Sequence, residues 1–74
     1  MTLNDAKNSK VYKIISTNGE GNQKRRLLDM GFTPDTEVFL AHTAPFGGTI
    51  LVSLRGYMVA LREDAASLIE IAEV

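Results

Sequence analysis

The sequence predicts a small, mainly β domain: about five short strands curled into one barrel, with a short helix after the first strand and a helical turn before the last. Three observations point there. The chain has 74 residues, enough for one hydrophobic core but not two. Short runs rich in β-branched and aromatic residues recur along it, separated by clusters of glycine, proline and asparagine. The stretch from Thr49 to Arg62 reads as a hairpin whose two faces match.

The first strand is "KVYKIIS", residues 10–16, and "TNGEGN" interrupts it. Thr17 and Glu20 imitate a capping box, but Gly19 and Gly21 argue against a helix starting there. The better start is Asn22 as N-cap, followed by "QKRRLLDM", with Gly31 just past the end. In that frame the helix is charged against its dipole, with Lys24, Arg25 and Arg26 near the positive end and Asp29 near the negative end. Packing through Leu27, Leu28 and Met30 accounts for the helix itself, whereas the paired arginines point to an acidic partner. Pro34-Asp35 then marks a turn. "TEVFLAHT" runs extended after it, with Val38, Leu40 and His42 on one face.

With Arg55-Gly56 as a two-residue loop, Leu54 faces Tyr57, Val52 faces Val59 and Ile50 faces Leu61, all apolar pairs. The opposite face pairs Ser53 with Met58, Leu51 with Ala60 and Thr49 with Arg62, the mixture of a partly exposed side. A slip of one residue would scramble both faces. This register requires a positive φ at Arg55. After it, Asp64 is placed to cap a short turn through "EDAASLI", and "IEIAEV" alternates as the last strand. A chain this short cannot build an ordinary two-sheet sandwich, so the sheet is expected to close on itself in an SH3-like barrel.

Composition narrows the chemistry. There is no cysteine and one histidine, His42, which leaves no thiol nucleophile, zinc ribbon or paired-histidine site within one chain. The segment "MTLNDAKNSK" lacks the apolar core of a signal peptide, and no apolar run approaches the roughly 18 residues of a membrane span. A soluble, cytoplasmic chain is the expectation. Net charge is −1, and the cations of "QKRR" are too few for a nucleic-acid stripe. "NGEGN" has neither the lysine nor the following Ser/Thr of a phosphate-cradling loop. His42 with Glu37 offers at most a shallow carboxylate and imidazole pair. No catalytic, cofactor-binding or metal residue is assigned.

The loop "TAPFGGTI" is the remaining oddity. Pro45 fixes one φ, Gly47 and Gly48 permit positive ones, and Phe46 stands between them. Phe46 can either fold back over an open end of the barrel or anchor a partner.

"RRLLDMGFTPDTEV", then "APFGG", then "SLRGYMVALREDAASLIEI" resembles the FeoA family, small cytosolic companions of the bacterial ferrous-iron transporter FeoB. The resemblance runs from Lys24 to Ile71 and implies an SH3-like barrel. Two positions depart from the family's usual pattern. Pro34-Asp35 stands where Pro-Gly is common, and Gly47-Gly48-Thr49 stands where Gly-Asp-Pro is common, which makes the loop less acidic and more flexible. What the resemblance implies is a non-enzymatic adaptor of ferrous-iron uptake that docks on the cytoplasmic, GTPase-bearing part of an FeoB-type transporter. The residues assigned to partner contact are Arg25, Arg26, Met30, Pro45, Phe46 and Tyr57. The alternative is a stand-alone SH3-like regulatory module of the kind found in metal-dependent repressors, binding a peptide or a regulator in trans. An arginine supplied to a partner GTPase, from Arg25, Arg26, Arg55 or Arg62, is a third and weaker reading.

Overall fold

A computed structural model describes residues 1–44 and 47–74 of the chain. Five strands form one antiparallel sheet: β1 (Val11–Thr17), β2 (Glu37–Thr43), β3 (Thr49–Leu54), β4 (Tyr57–Arg62) and β5 (Ile69–Glu73). Their spatial order is β4-β3-β2-β1-β5. Helix α1 (Gly21–Asp29) joins β1 to β2, and the single turn α2 (Glu63–Ala66) joins β4 to β5.

Alternation makes the core. Tyr12 and Ile14 of β1, Val38 and Leu40 of β2, Val52 and Leu54 of β3, Leu61 of β4 and Ile71 of β5 belong to one buried cluster. One face of all five strands thus converges on a shared interior, and the molecule measures 30 × 25 × 23 Å. A flat sheet would need a second layer to cover that face; a curled one covers itself. The mainly β, SH3-like architecture expected from the sequence is the one observed.

The hairpin follows the expected register at every pair, from Leu54 with Tyr57 to Thr49 with Arg62. Arg55 (φ 50°) and Gly56 (φ 87°) take the left-handed backbone that a type I′ turn requires. The expected dry face is not buried along its whole length. Leu54, Val52, Ile50 and Leu61 are buried, but Val59 is half-buried and Tyr57 is exposed, so the interior tapers out along β4. β4 is the last strand of the sheet, so among the described residues no further strand pairs with its outer flank.

Three further local readings shift. Helix α1 begins at Gly21, whose φ of 58° only glycine adopts readily, so Glu20 rather than Asn22 stands at the N-cap and makes no side-chain cap bond. Arg26 then falls in the last turn, where the dipole favours a cation, so the expected reversal of charge is reduced, while Asp29 remains at the negative end. Arg62, not Asp64, is the N-cap of α2, and the Asp64 carboxylate accepts instead from the Ala65 N–H. In β2 a bulge between Leu40 and His42 turns the strand, so that His42 leaves the apolar row and is exposed beside Leu51.

The amino-terminal segment is structured, which its sequence did not signal. A 3-10 turn (Leu3–Asp5) buries Leu3, Thr2 bridges to Glu70, and the Ile71 N–H donates to the Met1 carbonyl. The Met1 ammonium donates to Glu70 Oε1 at 2.9 Å, a bond that raises the amine above its ordinary value. This segment covers the outer edge of β5.

Candidate functional site

Helix α1 is short and has one apolar side, and Leu27 carries it into the core while Lys24, Arg25 and Arg26 stay exposed. Its end is set by a Schellman motif: the Phe32 N–H donates to Leu27 and the Gly31 N–H to Leu28. Gly31 has φ 106°, and a Cβ there would lie 2.6 Å from the Tyr57 hydroxyl oxygen and 3.3 Å from Leu54. The close approach lets the Tyr57 hydroxyl donate to the Met30 carbonyl. The exposed end of the β3–β4 hairpin is therefore locked against the end of α1.

A second clip acts from the turn. One terminal nitrogen of the Arg55 guanidinium lies 3.0 Å from Thr33 Oγ1 and 3.2 Å from Thr36 Oγ1. These hydroxyls flank the turn in which the Thr36 N–H donates to the Thr33 carbonyl and Asp35 takes φ 70°. Asp35 thus fills a left-handed position normally given to glycine, as a short polar side chain can.

Between α1, β4 and α2 lies a groove of about 440 Å³. Leu27, Met30, Leu61 and Ala65 supply apolar lining, and Arg26 and Arg62 supply cations. Ala60 also lines it, and a larger side chain there would occupy the groove. Asp64 is the carboxylate of the lining, and its Oδ1 accepts from the Ala65 amide. Among the described residues neither Arg26 nor Arg62 forms an ion pair, and the Arg25 to Asp29 contact along the helix is not made. Cations with no internal partner beside an apolar trough suit a docking surface better than a reaction centre.

The residues assigned from sequence separate accordingly. Arg26 and Met30 line the groove; Arg25 is exposed on the same helix, and Tyr57 is joined to Met30 by its hydroxyl. Pro45 and Phe46 lie outside the described residues. What sequence reasoning missed is the wall made by β4 and α2, with Ala60 and Ala65 beside Arg62, which the sequence had offered only as an arginine for a partner GTPase. The signal was present in "ALREDAA", where alanines flank a run of three charged residues, but the approach of α1 to that stretch is a long-range contact.

Other candidates fall away from this surface. Arg55 is held by the two threonines. Glu63 Oε1 accepts from the Gly48 N–H at 2.8 Å, and the Gly48 carbonyl accepts from the Glu63 N–H, so the carboxylate pins the base of the long loop. Among the described residues no group of three or more His, Cys, Asp or Glu side chains is placed to hold a metal ion.

A family model described as the FeoA domain matches residues 1–73. A Campylobacter jejuni protein named as a candidate Fe(2+) transport protein A is 35% identical over 71 residues, 96% of each chain. A FeoA-like protein from Clostridium acetobutylicum, solved by NMR, superposes with a TM-score of 0.91 at 31% identity, covering 100% of this chain and 86% of that one. FeoA of Stenotrophomonas maltophilia, crystallised with zinc and described as an SH3-domain protein, gives a TM-score of 0.86 at 25% identity over 97% of this chain and 89% of the other. A manganese-dependent transcriptional repressor shares the fold, with a TM-score of 0.90 at 17% identity, but this chain spans only 41% of it.

Proposed function

The chain belongs to the FeoA family, and on that premise we propose that it is a non-enzymatic accessory protein of ferrous-iron uptake. It acts in the cytoplasm by docking on the GTPase-bearing part of an FeoB-type membrane transporter. The observation that carries this reading is the exposed cationic side of α1, with Arg25 and Arg26 free of internal carboxylates, beside the apolar groove. Met30 and the Tyr57 ring extend the same surface, and Phe46 enters it from its sequence setting alone.

The test is direct titration of the transporter's purified cytoplasmic domain. Replacing Arg25 and Arg26 together by alanine is expected to weaken binding about tenfold, as loss of two interfacial charges would. Lys13→Ala, on the exposed side of β1, should leave affinity unchanged. No binding by the native chain would end the reading; equal affinity of the double variant would move the contact elsewhere.

The fold shared with the manganese-dependent repressor favours a second reading, a stand-alone regulatory module acting on a peptide or regulator in trans. Co-purification with a transcription regulator instead of the transporter would support it.

A further inference from the structure

The two edges of the sheet are treated differently. On β5 the amino-terminal segment lies against the edge, through the Thr2 to Glu70 bridge and the bond from Ile71 to Met1. On β4 nothing does. The two-residue turn makes Leu54 and Tyr57 a hydrogen-bonded pair, so Val52 with Val59 and Ile50 with Leu61 are the next such pairs. The N–H and C=O of Met58 and Ala60, with the N–H of Arg62, therefore point away from β3. Among the described residues no backbone partner meets them.

Edges left open are usually blunted by lysine, proline or a bulge. Residues 57–61, "YMVAL", contain no charge and no proline, and their pairing with β3 is unbroken. The groove opens along this same edge: Ala60, Leu61 and Arg62 form its β4 wall, and Arg26 faces them from α1.

We propose that β4 receives an extended acidic segment of a partner as an added antiparallel or parallel strand. Main-chain bonds to Met58 and Ala60 supply the register, as in other cases of strand addition. Alternate side chains of the incoming segment rest on the apolar lining at Leu27 and Leu61. The residues between them are carboxylates, matched to Arg26 and Arg62. This deepens the docking reading above and rests on it for the identity of the protein that carries the segment, though not for the chemistry.

The experiment is amide hydrogen exchange by NMR on the intact chain, with and without a short acetylated peptide alternating Glu and Val. Exchange at Met58, Ala60 and Arg62 should slow about tenfold or more. A peptide alternating Lys and Val, and the acidic peptide N-methylated at alternate amides, should leave these amides as they were. Exchanging Arg26 and Arg62 together for glutamate should weaken binding of the acidic peptide about tenfold. Three results would overturn the proposal: unchanged exchange at millimolar peptide, equal protection by the lysine peptide, or protection that rises with protein concentration alone, which would assign the edge to a second copy. Repeating the measurement with the transporter's cytoplasmic domain separates the two readings. Binding without protection at β4 sinks only the strand addition; protection by the peptide without binding of the domain sinks only the docking partner.

Discussion

Gly31 shows how much one position can carry. Its φ of 106° is a conformation that side chains rarely adopt, and its missing Cβ makes room for the Tyr57 hydroxyl, 2.6 Å from where that carbon would be. Gly31→Ala is expected to cost about 1–3 kcal/mol in urea unfolding, the range for a residue held in a sparsely populated backbone region, with the contact adding to it. Adding Tyr57→Phe should return part of the loss, because it removes the atom in the way. If the double variant is less stable than the sum of the singles predicts, the close approach is not what excludes alanine. "GF" after a helical run announced a C-cap, so the turn was legible. The tyrosine was not, because it lies 26 positions further along the chain.

At the scale of elements, the long connection between β2 and β3 is held at its base by α2. The Glu63 carboxylate takes the Gly48 amide, and a Cβ at Gly47 would lie 3.0 Å from the same oxygen. Glu63→Ala should therefore speed amide exchange at Gly48 and lower stability by about 1 kcal/mol, the net worth of an exposed hydrogen bond to a charged group. Thermal melts and exchange rates check both, and unchanged Gly48 exchange would show that the backbone pair alone holds the loop. The family resemblance implied that Gly48 and Thr49, in place of aspartate and proline, would loosen this loop. The Glu63 carboxylate restrains Gly48 at the base, a contact invisible to local reading.

Across the whole molecule, stability rests on a single cluster with no disulfide behind it. Leu40 is fully buried in it, with Val52 directly opposite on the neighbouring strand. Leu40→Ala should cost about 2–5 kcal/mol. That is a large share of the roughly 5–15 kcal/mol typical of a whole domain, so the variant should be largely unfolded well below the native melting temperature. Circular dichroism would show it, and a melting temperature within a few degrees of native would contradict the picture of one shared interior. The outer surface should tolerate change far better: Lys13→Ala touches nothing in this cluster.

The strands, the hairpin register with its left-handed Arg55, and the glycine that ends α1 were all decided by the sequence itself. Each depends on residues within a few positions of one another, where alternation and backbone sterics operate without help. Only the tertiary structure decided which apolar pairs stay dry, where His42 points, and that α1 stands across a groove from β4, the last strand of the sheet. Those outcomes depend on bulges, on which strand ends the sheet and on contacts between distant segments, and such contacts leave no periodic trace along the chain.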